Sequence, residues 1–157
     1  MFRSLGLILI LLLFAPTLSA NETVKSKPEF AIDVMSVLSR AGCNSGTCHG
    51  NLNGKGGFKL SLRGDDPLFD YHALALASRG RRINLVTANQ SLILQKATGT
   101  IPHRGGIRFS KDSYDYEVLH DWLDQGGPAP SPAAATVTRL EVSPQHAIVS
   151  APQEDLQ

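Results

Sequence analysis

Two thiols and an imidazole stand close together in this chain. Cys43-Asn44-Ser45-Gly46-Thr47-Cys48-His49 holds both cysteines of the protein, and His49 follows the second directly. Two such thiols can bond covalently to the two vinyl groups of a haem, and the next imidazole then reaches the iron. The usual attachment signature is C-x-x-C-H, whereas four residues separate the thiols here. The Cys48-His49 adjacency keeps the part of the logic that sets the histidine under the iron. The extra residues need only bulge outward, and Ser45 and Gly46 make such a bulge cheap. The same thiols have a simpler alternative fate, a Cys43–Cys48 disulfide closing a small loop. A structural zinc site fits less well, because adjacent residues such as Cys48 and His49 rarely point at one metal together.

The start of the chain bears on where this chemistry would happen. Met1-Phe2-Arg3 carries a positive charge, Leu5 to Phe14 is an uncharged apolar run, and Ala15 to Ala20 is a small-residue, helix-breaking close. Residues 1–20 therefore read as a secretory signal peptide. The apolar run is short for a bilayer span, so a membrane association is expected only if the leader is retained. Export, to a periplasm or cell surface, places the protein where haem is attached to cysteines and also where disulfides persist.

Composition narrows the remainder. The formal charge of +1 provides neither a basic field for nucleic acid nor an acidic one for cationic partners. Fourteen glycines, nine prolines and 6% aromatic residues point to a loop-rich fold with a thin core, whose missing volume a large apolar cofactor would supply. No nucleophile-and-base arrangement of a hydrolase is recognisable.

The elements that must position the motif are helical. Pro28 suits a first helical turn, and Phe30, Val34, Val37 and Leu38 form one stripe on a helix running to about Arg40. That helix delivers the chain to Gly42-Cys43. After the glycine-rich segment 50–57, Phe58 to Arg63 alternates apolar and polar residues, which predicts a short strand or extended segment. Asp65-Asp66-Pro67 opens a helical stretch through Leu76, and Asn89 to Lys96 reads as a short capped helix stopped at Gly99. An irregular loop, 99–108, contains Ile101-Pro102-His103-Arg104-Gly105-Gly106. An amphipathic helix from about Ser110 to Gln125 follows, burying Val118, Leu119, Trp122 and Leu123. Gly126-Gly127-Pro128 ends it. Residues 129–136 read as a Pro/Ala linker, and Val137 to Val142 as an opening strand.

In several stretches the sequence resembles the planctomycete-type cytochrome c domain. These are Phe30-x-x-Asp33-Val34, Ala41-Gly42-Cys43-x-x-Gly46-x-Cys48-His49-Gly50, Gly54 to Leu62, and Leu119-x-x-Trp122-Leu123-x-x-Gly126. The resemblance covers residues 28–128 and implies an all-α, small cytochrome c-like haem domain with long loops and a short extended segment. It also implies haem c, with Cys43 and Cys48 as thioether anchors and His49 as proximal ligand of the iron. The family places this domain near the N-terminus of large exported proteins. The tail, 137–157, is similar to the start of a bacterial Ig-like module, incomplete here, or is a disordered tail. A truncated relative, a split gene product and a pared-down carrier would all read this way.

On the other face of the iron, a methionine would raise the reduction potential. The chain offers only Met1 in the leader and Met35 on the first helix, too close to the motif. The family pattern places its distal ligand just before the closing helix, and His103 stands there. His72, His120 and His146 read as surface, structural and solvated histidines respectively. Arg104, Arg108 and Lys111 read as a solvated basic loop, with pairing to haem propionates as the alternative. The resulting expectation is a non-catalytic, single-electron carrier serving redox partner proteins. Its alternatives are a haem-containing docking module, a gas or peroxide sensor, or a non-haem disulfide-bonded domain.

Overall fold

The computed structural model describes residues 27–133, 138–144 and 146, so the leader expected over 1–20 lies outside the described residues. Among the described residues no helix is long and apolar enough to cross a membrane. The described part is mostly helical and contains no strand, in agreement with an all-α class.

The first helix begins as a π-helical turn, Phe30–Val34, and continues as α1, Met35–Arg40. Its N-cap is Glu29, whose carboxylate accepts from the Ile32 amide at 3.0 Å, so Pro28 sits just outside the first turn. The predicted stripe is the buried one: Phe30, Val34, Val37 and Leu38 are each 1% exposed or less. Met35 is buried as well, with its terminal methyl close to Gly64, and so belongs to the core.

The expected strand at Phe58–Arg63 does not form. Phe58 makes one isolated bridge with Lys55, Leu60 is buried outside any element, and Leu62–Gly64 is a 3-10 turn. The alternation was real, but no neighbouring segment supplies a ladder, and a strand without a partner has nowhere to place its backbone groups. Those groups go elsewhere. The Leu60 amide donates to His49 O at 2.8 Å, and the Ser61 amide and hydroxyl both donate to Asp70, at 2.5 and 2.8 Å. Asp70 belongs to α2, Pro67–Tyr71, which Asp66 caps by accepting from the Phe69 amide. A second π-helical turn, His72–Leu76, extends α2.

A 3-10 turn, Ala88–Gln90, precedes α3, Leu92–Ala97. Ser91 stands at its N-cap position, but the hydroxyl accepts from the Asn84 amide across the loop instead of capping. Gly99, at φ +72°, follows its end. The last helix, α4, is Tyr114–Asp124 and starts later than its sequence pattern implied, because Ser113 takes both a turn bond to Ser110 O and the N-cap role toward Tyr116. Val118, Leu119, Trp122 and Leu123 form its buried face as expected. Trp122 donates to Pro128 O at 3.0 Å, Tyr71 donates to Gly127 O at 3.2 Å, and Phe30 packs against both rings. The chain leaving α4 is thus fastened to the first helix and to α2. Of the strand expected over Val137 to Val142, Val137 lies outside the described residues, and 138–142 is not in a strand.

Asp70 is fully buried, and burial raises its pKa against the opposing hydrogen bonds from Ser61. Asn at this position keeps an acceptor for the Ser61 amide and removes the charge that burial penalises. We therefore expect Asp70→Ala to lower unfolding free energy by about 1–3 kcal/mol, the cost of orphaned buried donors, and Asp70→Asn to cost measurably less. Chemical denaturation of the three proteins compares them, and equal losses for Ala and Asn would contradict this account.

Candidate functional site

Helix α1 ends at Arg40 and the chain turns at Gly42, which adopts φ +72°, to enter the cysteine motif. The motif is a set of interlocked turns. Cys43 N donates to Leu38 O at 2.8 Å, Cys48 N to Ser45 O at 3.0 Å, and His49 N to Cys43 O at 2.9 Å. Gly46 and Thr47 are the exposed apex, so the extra residues do project outward. The cause differs from the one expected: Gly46 is not in the left-handed region, and Asn44 turns inward instead. Its amide donates to Ser39 Oγ at 2.8 Å, and its backbone carbonyl accepts from Arg63 N at 3.1 Å. Gly50 is the glycine this arrangement requires, since a Cβ there would lie 2.0 Å from Asn44 O.

Cys43 and Cys48 are both free thiols at intermediate burial. Burial pushes the Cys43 thiol up to about 11, against the opposing field of Arg108. The thiol therefore stays protonated at neutral pH and is a poor nucleophile unaided.

His49 and His103, distant in sequence, are brought together. Their ring planes are within 8° of parallel and their centroids are 6.3 Å apart. Each ring is tethered through Nδ1 to a backbone carbonyl, His49 to Phe58 O at 2.9 Å and His103 to Gly106 O at 3.0 Å. A carbonyl can only accept, so each Nδ1 is a donor, and in the neutral form of either ring Nε2 is the atom that carries the lone pair. The His49 pKa is lowered, by burial first, against the opposing hydrogen bonds to the Phe58 and Lys55 carbonyls, with the fields of His103 and Arg82 also disfavouring the charged ring. Two neutral imidazoles that share one metal ion through Nε2, each bond about 2 Å long, have ring centroids about 6 Å apart.

Glycine leaves the room for the second ring. A Cβ on Gly105 would lie 2.7 Å from the His103 ring. The loop carrying His103 is closed by Gly106 N donating to His103 O at 3.0 Å and Arg108 N to Ala97 O at 2.7 Å. Arg108 departs from the solvated basic loop expected of it. It is half-buried, and its guanidinium donates to Ala41 O at 2.6 Å and Gly105 O at 3.1 Å, binding the cysteine-motif side to the His103 loop. Arg104 and Lys111 are exposed. Apolar side chains border the region in the open: Leu62 touches the apex at Gly46 and is 51% exposed, and Ile107, in the His103 loop, is 71% exposed.

The other histidines stand apart from this pair. His72 is exposed on the second π-helical turn, and His146 is exposed in the tail. His120 is half-buried, 5.8 Å from the Tyr116 ring and about 4 Å from the Asp121 and Asp124 carboxylates. Among the described residues no group of three or more metal-ligating side chains forms. A haem iron asks the protein for two.

Sequence reasoning missed Arg82 and took Arg108 for a solvated cation. Arg82 is 7% exposed, donates to three backbone carbonyls, and lies 4.7 Å over the Phe58 ring that packs against His49. Each looks like a surface cation in a basic loop, and only the carbonyls around it reveal otherwise. Compared with known protein families, curated proteins and solved structures, the chain matches none.

In the haem-free chain, alkylation at Cys43 should be slow at neutral pH and accelerate toward pH 11. Burial raises the folded-state value above the ordinary 9.0, so the folded protein holds the proton more tightly than the unfolded chain. Stability from this group is thus present below about pH 9 and lost as pH rises from there through about 11. Mass-resolved alkylation against pH checks it, and fast labelling of Cys43 in folded protein at neutral pH would refute it.

Proposed function

We propose that the protein is an exported c-type cytochrome that carries single electrons. Cys43 and Cys48 anchor haem c as thioethers, His49 is the proximal ligand of the iron, and His103 is the distal one. The observation that carries this reading is the parallel His49–His103 pair, whose ring centroids are spaced as two ligands of one shared iron would be, in a chain whose two cysteines are free thiols. Attachment adds each S–H across a vinyl double bond, forming one C–S and one C–H bond, with no oxidant needed.

When bound, the haem supplies a one-electron ferric/ferrous couple, and the chain's residues set its access and potential. The Phe58 and Gly106 carbonyls fix the tautomer and rotation of the two imidazoles and raise their basicity, as outer partners of metal-bound histidines do. Arg108 ties the His103 loop to the motif side, so the second ligand is held in register with the first. Leu62 and Ile107 offer apolar surface for a porphyrin to cover. With His49 and His103 both holding the iron, no position would be left for a small molecule, which favours relay over sensing or catalysis.

Co-expression with haem-maturation machinery should yield a pyridine haemochrome of the c type, lost in the Cys43→Ser, Cys48→Ser double variant. The ferrous protein should be low-spin and indifferent to carbon monoxide. A bare chain in the parent, joined by a sulfur–sulfur bond in intact mass, rejects the proposal. His103→Ala should become high-spin and bind carbon monoxide while keeping covalent haem. Gly105→Ala, which crowds the His103 ring, should move the same way. A parent that already binds carbon monoxide would reject the distal role of His103 and favour the gas-sensing alternative.

A further inference from the structure

Arg82 is a buried cation whose hydrogen bonds run to carbonyls. Nη1 donates to Ala73 O at 3.0 Å and Ala77 O at 3.2 Å, and Nη2 donates to Gly57 O at 2.9 Å. Its pKa is lowered by burial and then by Arg81, a second cation. The carboxylate of the adjoining groove wall, Asp66, is engaged in capping α2 through the Phe69 amide at 2.9 Å. Among the described residues, the positive charge of Arg82 is therefore held in place by carbonyls, with no acidic ion-pair partner to cancel its field.

That charge points at the proximal ligand. The guanidinium carbon is 4.7 Å from the Phe58 centroid, and the Phe58 and His49 centroids are 4.7 Å apart. These two contacts in series keep the guanidinium within about 10 Å of the imidazole, the Debye length at ordinary salt, and the Phe58 ring touches both groups. Phe58 also supplies the carbonyl that holds His49 Nδ1. One residue thus connects cation and ligand both by packing and through the backbone.

We propose, building on the haem reading above, that Arg82 is a positioning residue whose uncancelled charge behind His49 raises the reduction potential of the iron. A fixed cation disfavours the ferric state, which carries one more positive charge than the ferrous. At this range, with an effective dielectric of about 20, the interaction corresponds to roughly a tenfold shift in the ferric/ferrous equilibrium.

The test is a set of midpoint potentials on haem-loaded full chains, each first verified as low-spin haem c. Arg82→Gln keeps donors for the carbonyls but removes the charge, and should shift the equilibrium about tenfold toward ferric, a fall of about 59 mV for one electron. Arg82→Lys keeps the charge and should fall by much less. Arg81→Gln removes an exposed neighbouring cation and should change the potential little. Ala73→Glu lines the same groove, leaves Arg82 in place and adds a compensating carboxylate, so it should lower the potential even if Arg82→Gln does not fold. Equal potentials for the Gln and Lys variants, an Arg81→Gln shift as large as that of Arg82→Gln, or an unchanged Ala73→Glu would each overturn the inference. Any of these in a protein with intact low-spin haem c leaves the cytochrome reading standing. A parent with no haem c removes both.

Discussion

Each histidine of the central pair spends its Nδ1 proton on a backbone carbonyl, and the rest of the site is arranged to make those two carbonyls available. Phe58 O can meet His49 only if the chain doubles back after the motif. That return is fixed by Leu60 N donating to His49 O and by the Lys55–Phe58 bridge. Gly106 O can meet His103 only in a tight turn, which the Gly106 amide closes onto His103 O. Both are short-range devices, and each orients one ring. What sets the rings opposite each other is longer in range: Arg108 spans from Ala41, at the end of the first helix, to Gly105 in the second loop. A neutral hydrogen bond contributes about 1 kcal/mol net, and one to a charged group about twice that. The alignment therefore depends on several modest bonds acting on a backbone that the α1–α4 core already constrains.

That core is small, and its helices are short. None of α1 to α3 exceeds six residues, below the length at which an isolated helix is stable in water. They persist because their apolar faces converge on Phe30, Trp122, Leu38 and Leu119, all fully buried or nearly so. The second π-helical turn shows how the fold handles helix ends. Ala77 N reaches back five residues to His72 O, and the carbonyls of Ala73 and Ala77 are then satisfied by Arg82. A guanidinium suits this task, because its planar fork of donors reaches several acceptors at once. The buried cation is thus part of how α2 ends.

The helices and their buried faces were legible in the sequence because they are periodic: Phe30, Val34, Val37 and Leu38, and again Val118, Leu119, Trp122 and Leu123, repeat at helical spacing. The cysteine motif stood out in the sequence because its residues are neighbours along the chain. The strand read into Phe58–Arg63 was not there, since alternation reports which side chains face inward and is silent about whether a partner strand exists. The inward turn of Asn44 was hidden for a related reason: its partners, Ser39 and Arg63, belong to segments that only the fold brings to it. His103 was placed by its position relative to the closing helix. Nothing local in Ile101 to Gly106 encodes that its ring lies parallel to His49. Arg82 and Arg108 were invisible as functional groups because a sequence lists cations and not the carbonyls that surround them.

The choice of carbonyls as partners for both arginines has an electrostatic consequence. A buried ion pair would satisfy the same donors, but the carboxylate would cancel most of the field beyond the pair. A carbonyl dipole accepts the hydrogen bond and leaves the net charge in place. Arg82 lies on the Phe58 side of His49, and Arg108 lies on the loop of His103, where its field is felt at Cys43. Two partly or wholly buried positive charges thus flank the histidine pair, in a chain whose formal charge is only +1. The overall charge says nothing of this, because charge at the surface is screened by water and salt while charge held against a ring or a buried thiol is not. In the proposed haem site such an environment favours whichever state of the centre carries less positive charge. On that proposal, the same groups that fasten the loops would also bias the electron toward the iron.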